Sequence, residues 1–519
     1  MLEFNNISIT LINNNRPIIK DFSFVLHPKE KIAIIGEEGN GKSTLLKLVV
    51  DSKKVEEYAS VKGNINTHNM TIGYLEQNLD TSWHNDSPLN FFLKKEPSDE
   101  LDYDNYNLLN DFYSYIAKFN IRKSILNDNE VMGNLSGGEK VKLQLIKILC
   151  HNPDILLLDE PTNDIDIDTL KWLEDFINKT EKPILYISHD ETLLERTATG
   201  IIHLEQIKRK TECRHTISYG SYKEYIDQRI RNLSHQEQVA KKERNDYNKQ
   251  IASFKEVFQK VEYQQNTITR ADPHGAALLK KKMKSLKSQE KRYEREKNDF
   301  TKMPDVEEAI NLQNAEIEKI PNGKIILDLN LSHLKAGNII LSRNIKLLVK
   351  GKSHLVIIGQ NGSGKSTLIK EIYQILSQRK DIILGYMPQN YEDLLDLEMT
   401  PIDYLSKKDT SKDFITKARI YLGSLKFKDE EVTSKIKLLS GGQKAKLLLL
   451  KLILEKSNVL LLDEPTRNLS PLSNPVIRKL LKNFDGTIIS VSHDRKYIDE
   501  VCPNIYELTK EGLISKSSY

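Results

Sequence analysis

Residues 155–163 read ILLLDEPTN, and residues 459–468 read VLLLDEPTRN. In each, a run of four apolar residues predicts a buried strand that ends in two adjacent carboxylates, Asp159 with Glu160 and Asp463 with Glu464. Upstream of each copy lies a glycine-rich loop, GEEGNGKS from Gly36 to Ser43 and GQNGSGKS from Gly359 to Ser366. The first loop follows the apolar run Lys31 to Ile35 and precedes the helix-like Thr44 to Val50, the strand, loop, helix context that a phosphate-binding loop requires. Its glycines Gly36, Gly39 and Gly41, with Asn40 and Thr44, let backbone N–H groups turn onto phosphates at a helix N-terminus. Lys42 adds a point charge at the β and γ phosphates, and the Ser43 hydroxyl suits magnesium. Gly359, Asn361, Gly362, Gly364, Lys365, Ser366 and Thr367 repeat the set. Asp159 and Asp463 are then expected to hold magnesium, directly or through water. Glu160 and Glu464 are expected to orient or deprotonate the attacking water, because phosphoryl transfer depends mostly on positioning and charge. The fold class is α/β, with two phosphate-loop ATPase halves in one chain.

Between loop and strand, Leu135 to Glu139 (LSGGE) and Leu439 to Gln443 (LSGGQ) stand ahead of helical patterns. Ser136 is a natural N-cap, and Gly137 and Gly138 allow close backbone approach to an anion. This resembles the signature motif of ATP-binding cassette domains. Gln77 and Gln389, each in a loop after a strand, and His189 and His493, each after another, complete that family's set. The resemblance implies that the glutamines help to hold magnesium and that the histidines assist catalysis. It also implies that the signature of one half completes the nucleotide site of the other. Lys42, Gln77, Asp159, Glu160 and His189 would then share an ATP with Ser440, Gly441 and Gly442, while Lys365, Gln389, Asp463, Glu464 and His493 share one with Ser136, Gly137 and Gly138. A single loop of this kind arises as a chance glycine-rich turn, and a single histidine as a core residue; two complete ordered sets do not.

The copies are evenly spaced except at one place. Lys42 and Lys365 are 323 residues apart, whereas Ser136 and Ser440, Asp159 and Asp463, and His189 and His493 are each 304 apart. The first half therefore carries 19 extra residues between its loop and its signature, expected as a short arm within about 82–129.

The chain's 519 residues carry a net charge of +4. Residues 241–300 alone hold 16 Lys and Arg against 9 Asp and Glu, so the positive charge is concentrated in the middle. Tyr222 to about Lys260 reads as a long charged helix and Ala276 to about Phe300 as a second, with turn chemistry at Asp272-Pro273-His274-Gly275. That predicts a helical hairpin with a tip at about 261–278. Lys280, Lys281, Lys282, Lys284 and Lys287 on its return form a polyanion-binding pattern, although a merely solvated helix face gives the same composition. Tyr263 and His274 near the tip can stack on a base. The expected domains are residues 1–221 for the first cassette, 222–322 for the hairpin linker and 323–519 for the second cassette.

Cys150, Cys213 and Cys502 lie far apart with no Cys-x-x-Cys pair, which argues against a zinc or iron–sulfur site and suits a reducing cytosol. No apolar run reaches membrane-spanning length, and the N-terminus MLEFNNISIT lacks the pattern of an export signal.

A tandem cassette ATPase with a charged hairpin linker and DEPTN at Asp159 to Asn163 resembles the ABC-F family of translation factors, over nearly the whole chain. The resemblance implies a monomeric cytoplasmic ATPase using ATP and Mg2+, whose ATP-closed form binds the exit-side tRNA site of the bacterial 70S ribosome, with ribosomal RNA and tRNA as partners and the linker directed toward the peptidyl-transferase centre. The tip resembles that of the antibiotic-resistance members, which dislodge ribosome-targeting drugs; a housekeeping translation role is the alternative. An energy subunit for a membrane transporter is a third reading. It would need coupling surfaces for membrane loops, and the 75 residues from Lys365 to Ser440 leave little room for a helical subdomain. A DNA-repair ATPase would want zinc cysteines or a far longer coiled coil.

Two departures from the family pattern stand out. Ser470 follows DEPTRNL where Asp166 supplies a carboxylate in the first half. No Phe, Tyr or Trp lies between Gly323 and Gly359 to stack on a base, while Phe4, Phe22 and Phe24 in the first half alternate with polar residues like core strand positions.

Overall fold

The computed structural model describes all residues except 14, 128, 208–211, 268–272, 299, 302–319 and 519, and describes no side chain at 103, 104, 273 or 298. The chain forms two compact units: the two cassettes together make one, and the helical hairpin beginning at Lys223 makes the other.

Each cassette is built on a six-stranded sheet in the same order. In the first half the strands run Ile72–Leu75, Ile155–Asp159, Ile184–Ile187, Lys31–Ile35, Gly200–Ile207 and Glu212–Tyr219 across the sheet. The first five are parallel and the last pairs antiparallel to its neighbour. The second half repeats the order with Leu384–Met387, Val459–Asp463, Thr487–Val491, His354–Ile358, Asn504–Thr509 and Gly512–Lys516. Ile155–Asp159 and Val459–Asp463 are buried at every residue, as their unbroken apolar runs demand of central strands covered on both faces. A smaller antiparallel sheet packs onto each core: three strands, Pro17–Leu26, Leu2–Leu11 and Ala59–Asn66, in the first half, and the hairpin Ile325–Ala336 with Ile339–Lys350 in the second. Phe4, Phe22 and Phe24 pack together inside the first of these, with Phe4 and Phe22 ring centroids 5.5 Å apart. They are core residues and not a base platform.

The structure redistributes the first half's extra residues. Lys42 to Gln77 spans 35 residues against 24 from Lys365 to Gln389, so most of the surplus precedes Gln77, where Ala59–Asn66 adds the third strand. The stretch expected as an arm holds a helical subdomain, Pro88–Leu93, Tyr103–Tyr106 and Leu109–Lys118, cored by Phe92 stacked on Phe112 at 4.3 Å. The second half has one too. Pro401–Leu405, Lys412–Ser424 and Asp429–Thr433 fit within the 75 residues expected to leave little room, because one 13-residue helix capped by Ser411 is flanked by two of only five residues.

The hairpin helices are Tyr222–Thr267, longer than its sequence pattern shows, and Pro273–Asn298, which starts three residues before its pattern. Pro273, His274 and Gly275 form the first turn of the second helix, not a turn between helices; proline tolerates that position because its missing N–H would be unpaired there anyway. Asp272 lies outside the described residues. Phe254, Val261, Leu286 and Tyr293 make a small core between the two helices. Among the described residues, no helix is long and apolar enough to cross a membrane.

Candidate active site

Both phosphate loops join a central strand to a helix, Lys31–Ile35 to Lys42–Val50 and His354–Ile358 to Lys365–Ser377. The left-handed backbone at Gly36 passes so close to the next strand that a Cβ there would lie 2.3 Å from the Leu204 carbonyl oxygen. Only glycine fits. Lys42 Nζ donates to the carbonyls of Gly36 at 2.9 Å and Glu37 at 3.1 Å, and Lys365 Nζ to those of Gly359 at 2.8 Å and Gln360 at 2.9 Å. Thr44 and Thr367 sit in the first turns of the two helices, and Gly39 and Gly362 face open space. The Asn40 side-chain amide donates to Leu204 O at 2.9 Å and ties the loop to the sheet.

At the strand ends the paired carboxylates diverge. Ser43 Oγ donates to Asp159 Oδ1 at 3.0 Å and Tyr74 Oη to Oδ2 at 3.3 Å, and burial pushes the Asp159 carboxyl up to about 6. Asp463 is likewise raised by burial, with Ser366 opposing, and its Oδ1 is buried without a hydrogen-bond partner. Such an orphaned oxygen beside a serine hydroxyl suits a hard divalent cation.

Glu160 and Glu464 each leave the strand in the left-handed region, with φ of 48° and 54°. The strand ends just before this strained residue, and Glu160 shares no hydrogen-bond partner with Asp159. Glu160 Oε1 lies 2.9 Å from His189 Nε2, while its Oε2 accepts from Gln77 Nε2 at 3.0 Å and Asn163 Nδ2 at 2.9 Å. Gln77, expected at the metal, thus holds the glutamate here. Burial alone would raise Glu160, but the imidazole, the Lys42 ammonium and the Asn163 amide outweigh it and hold the carboxyl down at about 2. Glu464 is held more loosely. His493 Nε2 is 3.7 Å away, the His493 backbone N–H donates to it at 3.2 Å, and Arg467 replaces the asparagine. Burial and neighbouring Asp463 push Glu464 up, and burial lowers His493 to about 3.

Ser136 and Ser440 cap the signature helices Gly137–Cys150 and Gly441–Leu454, each in a reciprocal box with the residue three positions on, Glu139 or Gln443. A Cβ at Gly137 would sit 2.0 Å from Asp164 O, so glycine is required where this helix meets the loop after the strand. The two halves meet at these elements. Asn361 of the second phosphate loop donates its side-chain amide to Asp164 O at 2.6 Å and its N–H to Asp166 Oδ2 at 3.3 Å, and Arg467 pairs with Asp164 at 2.8 Å. Asp166 also caps the helix Ile167–Lys179. Ser470, its counterpart, turns inward to Ser473 Oγ at 3.0 Å. A cavity of about 520 Å³ lies at the second site, lined among others by Lys365, Ser366, Thr367, Gln389 and Glu464. Its apolar wall includes Ala336 and Leu341 in place of any aromatic.

The cross-half contacts of Asp164, Asn361 and Arg467, the strained glutamates and the Glu160 partner Asn163 escape the motif reading. Positive φ outside glycine and long-range pairing leave no periodicity to detect.

The profile of the ABC transporter family matches residues 19–163 and 342–467. Fold and site together define an ATP-binding cassette ATPase with two cassettes in one chain. The chain is similar to ATP-binding protein Uup of Buchnera aphidicola subsp. Acyrthosiphon pisum, 31% identical over 531 residues that cover 99% of this chain and 81% of that protein. It is 27% identical over 539 residues to ABC transporter F family member 5 of Arabidopsis thaliana, covering 95% of this chain and 72% of that one. The chain belongs to the ABC-F family of tandem-cassette ATPases. Among solved structures, the archaeal ribosome recycling factor aABCE1, in complex with ribosomal stalk protein aP1, matches with a TM-score of 0.59 and 16% identity over 98% of this chain and 90% of that one. At that identity the likeness is one of fold.

Proposed function

We propose that this ATPase acts in the cytoplasm as a monomer on the bacterial 70S ribosome, binding the exit-site region through ribosomal RNA and tRNA and displacing antibiotics from the peptidyl-transferase centre. The observation that carries the ribosome reading is the hairpin's second helix. Lys280, Lys281, Lys282, Lys284 and Lys287 are all exposed, and none has an ion-pair partner among the described residues. Unpaired lysines at this density favour a polyanion over an internal structural role. ABC-F membership, and a fold shared with a protein named as a ribosome recycling factor, support the same reading.

In this reading each signature completes the opposite nucleotide site. Mg2+, held by Ser43, Asp159 and Gln77 at one site and Ser366, Asp463 and Gln389 at the other, would supply charge to the phosphates. Glu160 and Glu464 orient the attacking water and accept its proton, while His189 and His493 hold the terminal phosphate end of the site. Tyr263 and His274, both exposed near the hairpin tip, are the residues proposed to press on drug-site nucleotides.

A housekeeping translation role is the second reading. One feature favours it: the helices run to Thr267 and from Pro273, so most of 261–278 is regular helix instead of an extended loop suited to a drug pocket. Translation in vitro, titrated with lincosamide, streptogramin A, pleuromutilin and phenicol drugs, separates the two. Rescue from at least one class is expected. No rescue with ATP-dependent ribosome pelleting intact leaves the housekeeping role, and no pelleting defeats both.

A further inference from the structure

The two phosphate loops differ at one position that faces the opposite half. Where the second loop has Asn361, the first has Glu38. Asn361 reaches the loop at Asp164 and Asp166, as described above. Glu38 instead crosses to the second signature, where its Oε2 accepts the Gly442 backbone N–H at 3.0 Å, a contact between residues 404 apart in sequence. Its other oxygen lies beside Gly441, 3.3 Å from where a Cβ would stand.

That amide belongs to the first turn of Gly441–Leu454, where unpaired N–H groups and the helix dipole favour an anion. The carboxylate therefore sits where the composite-site arrangement would place a nucleotide's terminal phosphate. Glu37, Glu38, Ser440 and Gly442 together line a small cleft of about 30 Å³, so little room is left between the loop and the signature at this point.

We infer that Glu38 is an internal competitor for the terminal phosphate at the first site, and so sets that site's preference between ATP and ADP. The inference rests on the proposed pairing of Ser440–Gly442 with the Lys42 site. ATP must displace the carboxylate from the Gly442 amide and then tolerate its charge. ADP, lacking the third phosphate, leaves Glu38 in place. The second site carries a neutral asparagine and has no such competitor, so it fills with ATP first.

The test uses the full chain with Glu160→Gln and Glu464→Gln to suppress turnover, with ATP and ADP titrated by calorimetry. Glu38→Asn installs the residue the second loop already tolerates, so folding is not at risk. It should strengthen the weaker ATP site by roughly three- to tenfold, the scale of one charge at a helix N-terminus, and leave ADP affinity unchanged. Asn361→Glu should weaken ATP at the second site. Equal shifts for ATP and ADP, or no shift, overturn the inference. Ser440→Arg in a chain carrying Glu464→Gln, where only the Lys42 site can turn over, separates the two levels. If it abolishes hydrolysis while Glu38→Asn changes nothing, the competitor idea fails and the composite site stands. If hydrolysis survives Ser440→Arg, the composite site fails and the inference with it.

Discussion

Arg478 and Glu191 form a buried ion pair across the two cassettes, with Nη1 2.5 Å from Oε1 and both side chains almost inaccessible. Beside them Arg495, fully buried, pairs with Glu174 at 2.5 Å and with Asp190 at 3.0 Å. The helices just beyond His189 and His493 are thus fastened together by charge. Removing Arg478 leaves the buried Glu191 carboxylate with Lys496 alone, 3.3 Å away, in a medium that penalises a poorly paired charge. Arg478→Met is expected to cost about 3 kcal/mol of stability, the lower end of the range for breaking a buried pair. Arg478→Met with Glu191→Leu should recover much of that. Thermal and urea unfolding measure both, and a single-mutant loss below about 1 kcal/mol would show that water reaches the pair.

Glu160→Gln with Glu464→Gln should retain ATP binding and lose hydrolysis by several powers of ten, since each carboxylate stands just past a strand end beside a histidine, 2.9 Å away at Glu160 and 3.7 Å at Glu464. The closed form should accumulate on ribosomes and inhibit translation. Near-native phosphate release would remove both glutamates from the chemistry.

The single variants should differ. Glu160 has a histidine at 2.9 Å and two amide donors, whereas Glu464 has its histidine at 3.7 Å. Ser470, turned inward, leaves the second half's loop without the carboxylate that Asp166 extends to Asn361. Residual ATPase in Glu160→Gln and Glu464→Gln should differ beyond assay scatter; matching rates contradict the asymmetry.

Replacing Lys280, Lys281, Lys282 and Lys284 with Gln should weaken ribosome binding and flatten its salt dependence, each lost phosphate contact lowering the slope of log affinity against log salt by about 0.7–0.9. Tyr263→Ala or His274→Ala should spare binding and reduce drug protection. Sedimentation at several salt concentrations reads the first, and drug-titrated translation the second. An unchanged salt slope would return the lysines to a solvated face.

Much of the fold was legible because it is written in contiguous signals. Buried parallel strands appear as unbroken apolar runs such as Ile155–Leu158, and the signature helices announce themselves through Ser136 and Ser440 caps. The second half's helical subdomain was not legible. Its short helices at Pro401–Leu405 and Asp429–Thr433 lack the repeats that make periodicity visible. The second hairpin helix begins before its pattern because proline at a first helical position looks the same in sequence as proline in a turn. At the site, the motif residues could be named, but their partners could not: Glu38 on Gly442 and Asn361 on Asp164 join positions hundreds of residues apart.

The lysines of the phosphate loops carry one more consequence. Lys42 and Lys365 are each clamped by two carbonyls of their own loop, which braces the loop's curvature from within. Little chain entropy is then lost on binding. The ammonium has only to exchange neutral carbonyl oxygens for anionic phosphate oxygens, a trade for stronger, charge-assisted partners that draws the nucleotide into a cradle already shaped for it.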